Sequence, residues 1–313
     1  MNDVDQLRRR SVGAPAARSV LLTTLGEYVL PAPEGVWQET LIAALGALGH
    51  KPQAARQALA RSVSADWLQT TRHGRRSRIH LTPSAEAMLR TGAARIYRFG
   101  EPWAWDGEWL LVILRVPEQR REVRHQLRTR LAWAGFGSLG GGLWISPHVE
   151  RESELRDGVP SDSVAELQSF RARLGTIGDP EKLVADAWEL SAVAAGYRAF
   201  VNRFADLRPR TPKGIFRAQT LLVHEWRRFP FLDPDLPETM LPDAWPRSRA
   251  HAVFTDRHAL WHAPAQEYFA ALEGRQSAEL APRPAPPRPA PRGSAPRGSG
   301  DAGSSKSSRI ASK

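Results

Sequence analysis

Cysteine does not occur anywhere in the 313 residues. Its absence excludes disulfide staples, thiolate metal ligands and a thiol nucleophile together, and it suits a reducing compartment. Long hydrophobic runs are missing too. The longest strongly apolar stretch, Trp109 to Leu114, is a strand's length and far short of the ~20 residues of a membrane span. Arg8-Arg9-Arg10 is not followed by the apolar segment of a signal peptide. A soluble, cytoplasmic protein with no membrane partner is expected.

Catalytic signatures are equally scarce. Gly135-Phe136-Gly137-Ser138-Leu139-Gly140 has the spacing G-x-G-x-x-G. It follows a predicted helix and opens a strand, the reverse of what lets a helix N-terminus meet a pyrophosphate. Phe136 breaks a G-x-S-x-G reading around Ser138, and no G-K-[ST] is present. His224-Glu225 lacks a second histidine, because position 228 is Arg. His258 and His262 stand at i, i+4, but no third ligand has an obvious spacing, so packing against Trp261 or solvation is their expected role. Asp106 in Trp-Asp-Gly reads as a turn residue. No enzyme, catalytic residue, metal site or cofactor is expected.

Charge is abundant but uneven. The chain carries +11 overall, with 14 Lys/Arg against 7 Asp/Glu in residues 1–100 and 8 against 2 in residues 275–313. Residues 101–274 sum to −2. A basic head on a near-neutral body points to a polyanion partner. The tail from Ala281 is a Pro-Arg then Gly-Ser sequence with almost nothing apolar, too poor in core to repay ordering.

The head has four helical patterns and a hairpin. Leu21, Leu22, Leu25, Tyr28 and Val29 share one helical face, stopped by Pro31 and Pro33, and Trp37, Leu41, Leu45 and Leu48 form a second stripe. Pro52 opens a third helix reaching about Ala65. There Ala55, Ala58, Leu59 and Ser62 fall on one side and Gln53, Arg56, Gln57, Arg61 and Ser64 on the other, without a single acid. Arg pairs bidentately with guanine and Gln with adenine, so this is a chemically apt face for the major groove. Two short strands flank Arg72-His73-Gly74-Arg75-Arg76-Ser77, a tip whose cations repel unless a polyanion neutralises them. Thr82-Pro83 starts the closing helix. The order describes a winged helix-turn-helix. Lys51, Gln53, Arg56, Gln57 and Arg61 of the third helix, with Arg75, Arg76 and Arg78 of the wing, are the expected contacts to double-stranded operator DNA.

Next comes a strand over Glu108–Val116, a helix over Glu118–Ala134, strands over Gly135–Leu139 and Leu143–Ser146 divided by three glycines, a short helix near Val149–Arg156 and a strand near Val164–Arg171. That β-α-β-β-α-β order is ferredoxin-like. From Asp179-Pro180 one long helix is expected through Leu183, Trp188, Leu190 and Tyr197 to Phe204, then helices over Phe216–Arg228 and His251–Glu273. The fold class is therefore α+β, divided into a basic N-terminus (1–17), a winged helix-turn-helix (18–98), a ferredoxin-like middle (105–177), a helical C-terminal domain (178–274) and a disordered tail (275–313).

Several stretches resemble the PaaX family. They are Gly26-Glu27-Tyr28, Gly74-Arg75-Arg76-Ser77 leading to Leu81-Thr82, Ile96-Tyr97 before Trp105-Asp106-Gly107-Glu108-Trp109, and Ala187-Trp188-Glu189-Leu190 with Tyr197-Arg198-Ala199-Phe200. The longest is Leu221-Leu222-Val223-His224-Glu225-Trp226-Arg227-Arg228-Phe229-Pro230-Phe231-Leu232-Asp233-Pro234-Asp235-Leu236-Pro237. Trp226 stands where many members have Tyr. The resemblance spans about residues 18–272 and implies a dimeric repressor of phenylacetate-degradation operons, a middle domain akin to small CRISPR-associated proteins, and phenylacetyl-coenzyme A as the releasing effector. A regulator of another pathway with a different ligand, repressor or activator, is the alternative, and a metal-dependent nuclease on the ferredoxin-like middle is the enzymatic rival. Arginines bind phosphates bidentately, so Arg227 and Arg228 beside Trp226 form a candidate acyl-CoA pocket. The competing role for these arginines is a salt bridge to Glu225, Asp233 or Asp235.

Overall fold

Local sequence rules set most element ends. The computed structural model describes residues 15–101, 103–158 and 166–278. The expected tail from residue 279 and most of the basic N-terminus lie outside them. Helix α1 (Ala17–Thr24) runs into a π turn over Leu25–Val29 before Pro31 forbids continuation. A two-residue strand β1 (Val36–Trp37) leads into α2 (Gln38–Ala47) and α3 (Pro52–Ser64), with Pro52 in the first turn of α3. Strands β2 (Leu68–His73) and β3 (Arg76–Leu81) turn at Gly74, whose φ of 62° glycine adopts without strain. The Thr82 hydroxyl caps α4 (Pro83–Arg98) by accepting from the Ala85 N–H at 3.3 Å. Val36 pairs with Ile79, so the first sheet has three antiparallel strands in the order β1-β3-β2.

The middle segment holds β4 (Glu108–Arg115), α5 (Arg121–Trp133), β5 (Gly137–Gly140), β6 (Leu143–Ser146), α6 (Arg151–Gly158) and β7 (Glu166–Arg173). Its sheet runs β5-β6-β4-β7 with every neighbour antiparallel, which is ferredoxin-like topology. Side chains alternate across the pleat. Leu110, Val112 and Leu114 face Leu127, Leu131 and Leu155 of the two helices. Trp109 and Ile145 face the other way, onto Val184, Leu190 and Leu236 of the C-terminal segment.

That segment contains α7 (Pro180–Ala187), α8 (Leu190–Phe204), α9 (Pro212–Trp226), the short α10 (Phe229–Leu232), a 3-10 turn (Glu238–Met240) and α11 (Arg247–Ala278). Asp179 caps α7 as expected, accepting from Glu181 N–H at 2.9 Å. The single long helix expected up to Phe204 is broken at Trp188, whose φ and ψ of −134° and 142° are extended. The break swings the indole onto the sheet. Its Nε1 donates to the Gly135 carbonyl at 3.2 Å, and its ring lies against Gly137 so closely that a Cβ there would stand 2.6 Å away. Half-buried there, the indole gains ring contacts and a hydrogen bond that a continuous helix would not give it.

The head does not close a core by itself. Val20, Leu21, Leu41, Leu45, Ala55, Leu59, Leu68 and Ile79 are joined by Phe216 of α9 and by Ala265, Phe269 and Leu272 of α11. Tyr28 lies between Phe216 and Phe269, with ring centroids 5.1 and 4.9 Å away, and its hydroxyl meets Thr220 at 3.0 Å. A second aromatic core gathers Tyr197, Phe200, Trp226, Phe229, Phe254 and Trp261. No described helix is long and apolar enough to cross a membrane.

Candidate nucleic-acid interface

Helix α3 separates its two faces completely. Ala55, Ala58, Leu59 and Ser62 are buried at 0–7% exposure, and the Ser62 hydroxyl is spent on the Ala58 carbonyl at 2.9 Å. Lys51, Gln53, Arg56, Gln57 and Arg61 are all exposed. The small inner residues let α3 sit tight against α1 and α2, which leaves the long cationic and amide side chains standing clear. No acid lies within α3, so the face offers hydrogen-bond donors and positive charge with no internal neutralisation.

The hairpin divides its cations. Arg75 is exposed at the tip beside Arg72 and His73. Arg76 and Arg78, grouped with it by sequence, turn inward instead. Both guanidinium groups lie over the Trp37 ring, 5.7 and 5.0 Å from its centroid. Arg78 donates to Glu273 at 3.1 Å and to the Gly35 carbonyl at 3.2 Å. Arg76 donates to the Gln276 carbonyl at 2.6 Å and lies 3.9 Å from Glu39. The cause is α11, which extends beyond the expected start of the tail. Glu273 also accepts from the Trp37 backbone N–H at 3.0 Å and the Thr40 hydroxyl at 2.6 Å, and Ser277 accepts from the Trp37 indole at 3.1 Å. These contacts hold the last turns of α11 against β1, the start of α2 and the turn end of β3.

The three residues expected to meet an acyl-CoA are engaged inside the fold. Trp226 is fully buried, stacked on Phe254 at 4.7 Å, with its indole N–H on the Ile96 carbonyl at 3.1 Å. It leaves no face for a ligand. Arg227 donates to the carbonyl and hydroxyl of Ser19, both at 3.0 Å, and burial together with Arg228 brings its pKa down to about 10. Arg228 takes the salt-bridge alternative, 3.3 Å from Glu225. The other acids of that alternative, Asp233 and Asp235, pair with Arg247 at 3.7 and 2.7 Å. A cleft of about 700 Å³ opens in the middle domain instead, between Arg115 at the end of β4, Arg124 and Arg128 of α5, the Gly140–Gly142 turn and Trp144. Glu166 also lines this half-open cleft, and Arg124 donates to the Val116 carbonyl at 3.0 Å.

His224 is a structural residue. It is buried, its Nδ1 meets the Thr23 hydroxyl at 3.0 Å, and burial reinforced by Arg227 and Arg228 lowers its pKa to about 3. His258 and His262 have a third neighbour that their spacing did not announce. Glu27, buried in the π turn, brings a carboxylate oxygen to within 4.0 Å of His262 Nδ1. The i, i+4 pair was visible in sequence. The acid lies more than two hundred residues away and becomes adjacent only through folding.

Three family models match the chain in order. They are the PaaX-like protein over residues 16–85, the PaaX protein central Cas2-like domain over 102–184, and the PaaX-like protein C-terminal domain over 188–271. The transcriptional repressor PaaX of Escherichia coli strain K12 is 29% identical over 300 residues, spanning 91% of this chain and 93% of that protein. Among solved structures, the uncharacterized protein Rv0674 from Mycobacterium tuberculosis superposes with a TM-score of 0.56 at 23% identity, covering 83% of this chain and 99% of its own, a likeness of fold. With head, middle and C-terminal segment each matched in the family's own order, the chain belongs to the PaaX family.

Proposed function

We propose that this protein is a cytoplasmic transcriptional repressor of a catabolic operon of the phenylacetate type. Residues 18–98 act as a winged helix-turn-helix, with α3 in the major groove and the β2–β3 hairpin as the wing. The reading rests on the acid-free, exposed face of Lys51, Gln53, Arg56, Gln57 and Arg61, whose donors match guanine and adenine edges. The name of the Escherichia coli relative supports it. Of the wing cations Arg75 reaches phosphate, while Arg76 and Arg78 hold the wing to α11. One α3 covers half a site, so a symmetric homodimer binds two half-sites.

The effector is an acyl-CoA, phenylacetyl-CoA first among the candidates. Trp226 is packed in the aromatic core, and Arg227 and Arg228 are held by Ser19 and Glu225, so its phosphates go to Arg115 and Arg128 in the middle-domain cleft. It releases DNA by favouring an arrangement whose half-site spacing no longer fits the operator.

A mobility shift on DNA upstream of the protein's own operon, titrated with phenylacetyl-CoA and other acyl thioesters, tests both parts. Retarded operator freed by one thioester is the expected result. R115A/R128A should keep the shift and lose the release. Equal affinity for every duplex at low salt would remove the repressor reading. Metal-dependent cleavage of DNA or RNA in the same tubes would favour the nuclease alternative.

A further inference from the structure

A second cluster of chemically capable side chains lies away from both the basic face and the cleft, where the head meets the long C-terminal helix. His258 and His262 stand one turn apart on α11, their rings stacked with centroids 4.8 Å apart. Glu27 faces them from the π turn that ends α1. One ligand atom from each of the three lies within 4.8 Å of the others. We propose that Glu27, His258 and His262 form a binding site for a divalent transition-metal ion of the zinc class, one ion per chain.

The unused atoms point there first. Nε2 of His258 and Nδ1 of His262 are both shielded from solvent and have no hydrogen-bond partner, a rare state for buried polar atoms. They belong to two side chains of one cluster, and an ion held between the rings would give such nitrogens a partner. The acid is the second sign. Glu27 is only 8% exposed, and a buried carboxylate is costly without a counter-charge. Tyr97 Oη donates to its Oε1, and Gln219 Nε2 donates to its Oε2 at 3.3 Å. Such bonds orient a ligating carboxylate from behind, the part outer-shell groups play in metal sites.

The donor set is the third. Two imidazoles and one carboxylate are a ligand combination that zinc takes, leaving the fourth position to water. Histidines at i, i+4 present that pair from one helical face. The His262 side chain is 43% exposed, which gives the ion an entry path and the fourth position access to solvent. Bringing the ligand atoms to the roughly 3.3 Å separation set by zinc–ligand bonds takes side-chain rotation, for which His262 is the freest of the three. A bound ion would tie the turn after α1 to α11, with α4 and α9 supporting the acid. It would therefore brace the head against the helical body. This site stands independently of the repressor reading.

The experiment uses the untagged full chain, stripped with chelator and dialysed against micromolar Zn2+, with bound metal and Tm measured. One zinc per chain and a raised Tm are expected. E27Q and H258A/H262A should each lose more than tenfold in affinity and the Tm increase. H73A, on the exposed hairpin, should keep both. If H258A/H262A does not fold, H262A alone gives the same readout, because that side chain is partly exposed. No binding of Zn2+ or Co2+ at micromolar concentration would overturn the site. Stoichiometric binding undiminished in E27Q and the histidine variants would do so equally.

Discussion

At the scale of single residues, three arginines that sequence treats alike separate by what they touch. Arg56 is exposed on α3, Arg75 at the hairpin tip, and Arg78 lies over the Trp37 ring and pairs with Glu273. R56A should cost about 1–3 kcal/mol on the operator and relax preference at one base position. R75A should weaken all duplexes alike and lower the salt slope by about one. R78A should lower Tm, since it strips Glu273 of a partner. Binding isotherms at several salt concentrations beside thermal melts distinguish the three, and a change of base preference in R75A would contradict the assignment. His224 gives a pH prediction. Its pKa is depressed to about 3 in the fold against 6.5 when exposed, so the unfolded chain binds the extra proton. Stability from this residue is complete above pH 6.5 and falls as pH drops towards 3, by at most about 1.4 kcal/mol per pH unit. Denaturation from pH 7 to 5 should show a shallower decline in H224N, which keeps a polar atom near Thr23.

At the scale of elements, the outcome depends on whether a signal is local. The inner and outer faces of α3, the Thr82 and Asp179 caps, and the β-α-β-β-α-β order follow from residues within one element or its neighbour, and all were legible. The break at Trp188 was not, because periodicity runs on through it and only the distant Gly135 and Gly137 draw the indole aside. The inward turn of Arg76 and Arg78 was hidden for the same reason, as Glu273 and Gln276 lie on a helix some two hundred residues later. The burial of Trp226 was hidden too, since an aromatic beside two arginines reads alike in a pocket or a core. E273A tests the contact that holds α11 to the hairpin. It leaves the Trp37 N–H, the Thr40 hydroxyl and Arg78 short of one acceptor, which should cost about 1–3 kcal/mol. An unchanged Tm would show that the tether is dispensable. The Gly142 turn is fixed by another strand: its φ is 87°, and a Cβ would stand 2.4 Å from the Leu114 carbonyl of β4. G142A should therefore destabilise the β4–β6 pairing by about 1–3 kcal/mol, visible as a lower denaturation midpoint.

At the scale of the whole molecule, the head is continuous with the body. Phe216, Ala265, Phe269 and Leu272 fill the head core, while the same α9 and α11 carry Leu222, Trp226, Phe254 and Trp261 of the aromatic core. A fragment ending at residue 98 exposes the surface those four residues cover. It should show no cooperative melt by circular dichroism, whereas the chain to residue 278 should melt cooperatively. A sharp transition in the short fragment would show that the head core needs no help. Thermodynamic linkage bounds the proposed effector response. If a thioester lowers operator affinity by some factor, the operator must lower thioester affinity by the same factor. Residues 280–313 carry 7 Lys/Arg against 1 Asp, charge that under the proposed function adds sequence-blind attraction to DNA. Removing them should reduce the dependence of binding on salt for every duplex, since each lost phosphate contact takes about 0.9 from the slope. The ratio of operator to random-DNA affinity should stay the same, because the proposed base contacts all come from α3. A fall in the ratio would mean that the tail helps choose the sequence, and the division between a reading head and a sequence-blind tail would have to be given up.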